Sequence, residues 1–392
     1  MKKTQKNKNL LKQFIQSESF SGLLLITFTL LALGMANSPW ASIYQAIPQI
    51  SLANLSIQHW VNEGLMTLFF LLVGLEIKSE FLHGSLSGFS KALLPIAGAL
   101  GGIIAPAIIF ILINFNHPEN IQGWAIPVAT DIAFSLGVLS LLKNKIPRNL
   151  IIFLSAIAIA DDLGAILIIA IFYTKNLSLL FCLLSLGLVF ILFLFNFLKI
   201  QLTFLYLILG ALLWITLFKS GINPTIAGVL LAFSLPIHLI PKLEKKLLTP
   251  INYLIIPLFV FLNAGINLSG FSLFQTFSEP LTLGILLGLF IGKPVGIFGS
   301  LFLLTKTPWF KLPKDLNLSL IFGMSLIAGI GFTMSIFITD LAFPSLLPGN
   351  AQAILDCKVG IFMGSVLSAI LGVLVIHFSG IFKKSTKNQK VI

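Results

Sequence analysis

Three carboxylates and one ammonium stand out in this chain because nothing near them in sequence can solvate them. Asp161 and Asp162 lie side by side inside "AIAIADDLGAILIIAIFY", residues 156–173. Asp131 follows Thr130 in "AIPVATDIAF", and Lys293 interrupts "IGKPVGIFGS". On insertion scales an aspartate at the centre of a membrane helix costs roughly 2.5–3.5 kcal/mol, so the adjacent pair costs on the order of 5–7 kcal/mol before repulsion is counted. The chemistry open to such groups is the loss and regain of charge. Desolvation favours the uncharged acid, so a buried carboxyl can hold a proton. A small hard cation seeks the same oxygens: carboxylates, the Thr130 hydroxyl and carbonyls freed by a helix break. Proton and cation then compete for one site, and competition coupled to alternating access is exchange without ATP or covalent chemistry.

The remaining acids lie elsewhere. Glu18, Glu119, Glu244, Glu279, Asp315, Asp340 and Asp356 fall in connections or at span ends; Glu63 opens one apolar span, and Glu76 and Glu80 close it. Asp161 is about eleven residues into its span, roughly 17 Å at helical rise, and Lys293 is about as deep in its own. Adjacent helical residues point about 100° apart. One aspartate can therefore address an internal cation and the other a wet cleft. Lys293 is the buried basic residue available to either. The plain structural alternative is an Asp161–Lys293 ion pair with Asp162 satisfied by its neighbours.

The elements that position these groups are membrane helices. Of 392 residues, 57% are hydrophobic and 10% charged, with mean hydropathy +1.02, where a soluble domain carries about a quarter charged residues. Twelve apolar stretches recur, near 20–36, 61–77, 92–113, 124–142, 150–173, 178–198, 203–218, 222–238, 251–266, 281–304, 316–339 and 356–378. This predicts an all-α polytopic membrane protein of about 12 helices forming a single transmembrane domain over residues 1–392. The net charge of +12 does not point to nucleic acid. With a cytoplasmic N-terminus, 21 of the 25 basic residues fall on the inner side and Lys175, Lys219 and Lys358 on the outer. That is the positive-inside pattern, with both termini cytoplasmic. Lipid is the partner this charge implies. The basic start can also be read as a signal peptide, but no clean small-residue cleavage site follows. Cys182 and Cys357 offer neither a disulfide framework nor a metal spacing.

Helix breakers mark two spans. Span 4 carries Pro127 beside Thr130 and Asp131, and span 11 carries Gly329 and Gly331 in "SLIAGIGFTMS". Backbone opened at membrane depth must be buried in protein or line a wet cavity, and breaks at corresponding places in two halves point to a transport site. Spans 3–5 and 10–12 form two trios of inverted orientation, each with its break in the middle. Crossed broken helices bring like dipole ends together; Asp131 would offset the positive ends and Lys293 the negative ones. The longest external connection, residues 37–60, contains "SLANLSIQHW", which reads as a loop or as a short β-hairpin suited to dimer contacts.

These residues resemble the NhaA-type sodium/proton antiporter family. The matching stretches are "GLMTLFFLLVGLEIKSE", "WAIPVATDIAFSLGVLSLL", "AIAIADDLGAILIIAIFY", "LIIPLFVFLNAGI", "IGKPVGIFGS" and "AGIGFTMSIFI", in the family's order over nearly the whole chain. The resemblance implies a ten-plus-two helix fold with crossed discontinuous helices, in the bacterial inner membrane and often dimeric. It implies electrogenic exchange, more protons entering than Na⁺ or Li⁺ leaving, with no bound cofactor. Asp162 matches the principal cation- and proton-binding carboxylate, Asp161 the neighbour that pairs with Lys293, and Thr130 and Asp131 the broken-helix positions. Glu76, Glu80 and Glu244 match acidic positions of a cytoplasmic funnel linked to pH activation. Three departures fall outside the exchange site: "KLEKKLLTP" lacks the histidines that often follow the glutamate, Asn223 stands where a histidine is often found, and Ser79 stands where arginine is common. They bear on the pH set-point, since histidine is the natural switch near neutrality. His83, His238 and His377 on the inner side read as interfacial residues.

Rival classes fit less well. An intramembrane aspartyl protease places its acids on separate helices in YD and GxGD contexts, which "AIADDLG" and "ATDIAF" do not offer. A Na⁺-driven symporter of organic anions wants a polar or aromatic substrate cavity, and a plain cation channel has no use for a lysine at the ion's depth. The chain is thus expected to be a transporter and not an enzyme.

Overall fold

The computed structural model describes residues 18–142, 146–174, 177–267, 278–307, 315–344 and 349–388. The basic segment 1–17 and Lys143, Lys145, Lys175, Lys311, Lys314 and Lys390, all counted in the charge asymmetry, lie outside them.

Helices dominate: α1 (Glu18–Ala36), α2 (Ala41–Ala46), α3 (Met66–His83), α4 (Phe89–Ile113), α5 (Ile132–Ser140), α6 (Arg148–Phe172), α7 (Leu179–Phe197) and α8 (Thr203–Ser220). They continue with α9 (Ile226–Ser234), α10 (Ile240–Pro250), α11 (Ile256–Asn263), α12 (Pro280–Leu287), α13 (Lys293–Thr305), α14 (Leu318–Ile327), α15 (Phe332–Ala342) and α16 (Asn350–Asn388). Among the described residues, seven helical stretches are long and apolar enough to cross a membrane unaided, and three bent pairs bring the number to ten. The two further spans of the sequence reading are α3 and α9. α3 carries Glu76, Lys78 and Glu80 in its last turns, too many charges for an apolar span. α9 is nine residues long and stops before Pro236, although the apolar run predicted a span over 222–238. The chain is a multi-pass all-α membrane protein.

The ninth span also differs from expectation. It was expected over 251–266, with "KLEKKLLTP" as a connection. Instead helix begins near Ile237 and runs through α10 and the π-turn Ile251–Ile255 into α11. Leu243 and Leu247, one turn apart, pack against the apolar core on one face, which holds this charged segment helical.

The chain packs as two compact units: one lies within Met1–Thr27, Phe89–Asp161 and Leu268–Ile392, the other within Phe28–Gly88 and Asp162–Asn267. In the second, α3 and α9 approach closely because glycines face backbone: a Cβ on Gly228 would meet Thr67 O and Leu71 N, and one on Gly74 would lie 2.7 Å from Ala232 Cβ. Lys78 Nζ donates to the carbonyls of Phe233 (2.7 Å) and Leu235 (2.5 Å), closing the C-terminal end of α9. The same unit holds the connection 37–60. Here β1 (Ser51–Leu52) pairs antiparallel with β2 (Leu55–Ser56) through a turn in which Ala53 and Asn54 both have positive φ, the turn geometry that matches strand twist in a two-residue hairpin. α2 is anchored by Tyr44, whose hydroxyl donates to Phe261 O at 2.6 Å.

The first unit contains both breaks. The span-4 pair Pro118–Val128 and α5, and the pair α14 and α15, are each bent by 45°. α4 and α13 lie against each other at Gly101 and Gly296, where a Cβ on either would run into the other's carbonyl oxygen. A π-turn, Gly288–Gly292, immediately precedes Lys293. A Cβ on Gly292 would lie 2.7 Å from Pro106 Cα, so the turn is held hard against α4.

Candidate functional site

Lys293 is wholly buried, and Asp131, Asp161, Asp162 and Thr130 are each no more than 2% exposed. The first turn of α13 aims the Lys293 ammonium at Asp161 on α6, with Nζ 2.6 Å from Oδ2. Lys293 also donates to Val128 O, at the end of the short 3-10 turn Ile126–Val128. Asp161 Oδ1 is buried and has no hydrogen-bond partner among the described residues. Asp162 follows on the next position of the same helix.

The breaks themselves are Ala129–Asp131 and Ala328–Gly331. Pro127 precedes the first break: it belongs to the 3-10 turn and packs on the π-turn before Lys293, its Cβ 2.7 Å from where a Cβ of Gly288 would stand. The helix therefore opens two residues later than a proline-centred reading predicts. The span's first half is two 3-10 turns, Pro118–Gly123 and Ile126–Val128, each with proline in its first turn. Gly329 and Gly331 do lie in the second break, for want of space and not for a left-handed backbone. A Cβ on Gly329 would lie 2.5 Å from Leu289 O, and one on Gly331 would strike Ser335 Oγ.

Each exposed helix end at the crossing has a partner. Asp131 Oδ1 accepts from Phe134 N (2.9 Å), capping α5, while Oδ2 accepts from Thr333 N (3.0 Å) and Thr333 Oγ1 (2.5 Å) at the start of α15. One carboxylate thus lies at two positive helix N-termini, where negative charge is favoured. The opposite ends take donors. Thr130 Oγ1 donates to Ala328 O (2.9 Å), Ser135 Oγ to Ile327 O (3.1 Å), Ser335 Oγ to Ile126 O (2.8 Å), and Asp131 N to Ile330 O (2.7 Å). Lys293 supplies the positive charge at the Val128 carbonyl.

The family profile described as Na⁺/H⁺ antiporter 1 matches residues 12–376. The chain belongs to that antiporter family. It is 46% identical over 373 residues to Na(+)/H(+) antiporter NhaA 2 of Pseudomonas syringae pv. syringae (strain B728a), covering 93% of this chain and 94% of that protein. It is 42% identical over 380 residues to Na(+)/H(+) antiporter NhaA of Aliivibrio salmonicida, covering 95% and 98%, and 45% identical over 376 residues to the NhaA of Rhizobium etli, covering 92% and 94%.

In this antiporter-family chain the acidic positions away from the crossing form a second group. Glu76 and Glu80 on α3 and Glu244 on α10 interact electrostatically with one another. Glu80 Oε2 accepts from Ser85 N and Ser85 Oγ, both at 2.6 Å, and Glu244 Oε1 is buried with no hydrogen-bond partner among the described residues. Asn223, at the position where histidine is often found, accepts from Thr225 N at 2.9 Å and from Thr225 Oγ1, an Asx-turn that starts α9. Sequence reasoning missed Ser135, Ser335, Thr333 and the Val128 carbonyl. The available signal was the repetition of "TDIAFS" and "GFTMS", in which a serine recurs in the second turn after the break.

Proposed function

We propose that this chain is an electrogenic antiporter of the bacterial inner membrane that exports Na⁺ or Li⁺ against entering protons by alternating access. The observation that carries the reading is a count of buried charges. Asp131, Asp161 and Asp162 are buried, and Lys293 is the one buried ammonium among the described residues, so the fully ionised set carries an excess of two negative charges. A low-dielectric interior tolerates such an excess only when protons or cations neutralise it. Protons and Na⁺ are the two species the relatives' names give.

Roles divide by geometry. Asp162 and Asp161 are the exchanging carboxylates: Asp161 has one oxygen on Lys293 and its other oxygen uncommitted to a hydrogen bond. A Na⁺ that draws Asp161 from Lys293 frees the ammonium's partner, and proton return restores the pair. Thr130 adds a neutral hydroxyl oxygen. Asp131, whose two oxygens already accept three hydrogen bonds, compensates helix ends more than it ligates. Glu76, Glu80 and Glu244 form the inner acidic group that makes the rate depend on pH. Without histidine at 223 or in 242–250, that dependence rests on carboxylates. The hairpin is the contact for a second copy; Leu52 and nearby Ile50 and Trp40 are all more than half exposed. The protein's partners are otherwise the transported ions and lipid; it needs no resident cofactor and binds no nucleic acid.

The test uses everted vesicles from an antiporter-deficient bacterium, energised and loaded with an acid-trapped fluorescent dye. Addition of Na⁺ or Li⁺ across about pH 6.5–9, a range spanning histidine and buried-acid titration, is expected to dequench the dye, and Asp162→Asn is expected to abolish the response. A correctly inserted protein that gives no dequenching at any pH would overturn the exchange reading and direct attention to Na⁺-driven anion uptake.

A further inference from the structure

Two serines at the crossing have no assigned part, yet they occupy equivalent places. Ser135 is the fourth residue of α5 and Ser335 the fourth of α15. Both are fully buried, and each backbone N–H bonds to the carbonyl of the residue four positions before it, Asp131 and Gly331, at 2.9 Å. Their hydroxyls then reach across: Ser135 to Ile327 O at the end of α14, Ser335 to Ile126 O before the span-4 break. Each half-span after a break thus holds the tail of the opposite half-span before its break.

We propose that Ser135 and Ser335 are a matched pair of positioning residues that fix the separation of the two crossed breaks and so hold Thr130, Asp131 and the Val128 carbonyl in register with Lys293. Their hydroxyls bond to backbone carbonyls of the opposite half-spans, so they act through those half-spans. The two staples are not equivalent in surroundings. Ile327 O also accepts from Ile330 N at 3.0 Å, so loss of the Ser135 hydroxyl leaves that carbonyl one partner. Ile126 O lies two residues before Val128, the carbonyl that holds Lys293. Loss of the Ser335 hydroxyl therefore loosens the backbone nearest the ammonium, and Ser335→Ala is the stronger variant. Gly331 belongs to the same device, because any side chain there would strike the Ser335 hydroxyl.

The inference rests on the exchange reading for its functional half, and the experiment separates the two. Wild type, Ser135→Ala, Ser335→Ala and the double variant are assayed in everted vesicles, with the amount of folded protein measured in parallel. A buried hydrogen bond contributes about one power of five in an equilibrium. Each single variant is expected to raise the half-saturating Na⁺ concentration by up to about fivefold, Ser335→Ala more than Ser135→Ala, with the maximal rate per folded protein kept. The double variant is expected to exceed the product of the two, because one staple still holds the crossing when the other is lost. Hydrogen–deuterium exchange gives a second readout free of any transport assumption. Amides of both breaks, 124–135 and 325–335, are expected to exchange faster in either single variant, including the break that keeps its own serine. Unchanged half-saturation in the double variant, or faster exchange confined to the mutated half, overturns the inference. A silent wild type overturns the exchange reading alone, and the amide data still decide the staples.

Discussion

Removing Lys293 tests the electrostatic core of the site most sharply. In Lys293→Met the Asp161 carboxylate stays buried without the ammonium now 2.6 Å from it, and its other oxygen has no hydrogen bond among the described residues to fall back on. Breaking a buried pair from one side costs about 3–5 kcal/mol, because an uncompensated charge remains. Asp161→Asn carries a cost of the same order from the other side, leaving a wholly buried ammonium with the Val128 carbonyl. In the double variant, Asp161→Asn with Lys293→Met, both charges go, and the lost attraction is offset by the desolvation no longer required. What remains is a Val128 carbonyl without its donor, about 1–3 kcal/mol. The double variant is thus expected to be more stable than either single one. The assay is equilibrium unfolding in detergent, read by tryptophan fluorescence. Losses that simply add, or single losses below about 1 kcal/mol, would refute the claim that a tightly coupled pair sits in low dielectric.

Two further outcomes follow from the packing. Asp131→Ala removes the acceptor at the starts of both α5 and α15 and is expected to cost about 1–4 kcal/mol, one N-cap for each helix; Asp131→Asn, which keeps one acceptor oxygen, is expected to lose about half as much by the same unfolding measurement. Gly296→Ala drives a methyl into the Gly101 carbonyl, an overpacking cost of about 1–3 kcal/mol. Because Gly296 lies one turn from Lys293 on α13, the vesicle assay is expected to show lower Na⁺ response per folded protein, while Gly299→Ala, which faces open space, leaves it unchanged.

Much was already legible in the chain. Hydropathy alone requires membrane helices, since lipid leaves backbone groups no other way to bond. The buried charges are legible for the same reason: Asp131, Asp161, Asp162 and Lys293 are conspicuous because burying them is costly. That Lys293 would meet one of the adjacent aspartates was legible too; that the partner is Asp161 was implied by the family resemblance, and the structure places Asp161 Oδ2 2.6 Å from Lys293 Nζ. Tertiary structure decided what local pattern cannot encode. Pro127 is a helix breaker by type, but the break falls at Ala129–Asp131, where the opposite half-span supplies hydrogen bonds to the opened backbone. Gly329 and Gly331 read as helix breakers, and they lie in the break, but their backbone has no positive φ; they are small because Leu289 O and Ser335 Oγ press on them. "KLEKKLLTP" reads as a charged connection and folds as helix because its apolar side finds a core to pack on. Most clearly, Ser135 and Ser335 are unremarked in an apolar sequence, because a hydroxyl's partner 192 or 209 positions away exists only once the two breaks cross.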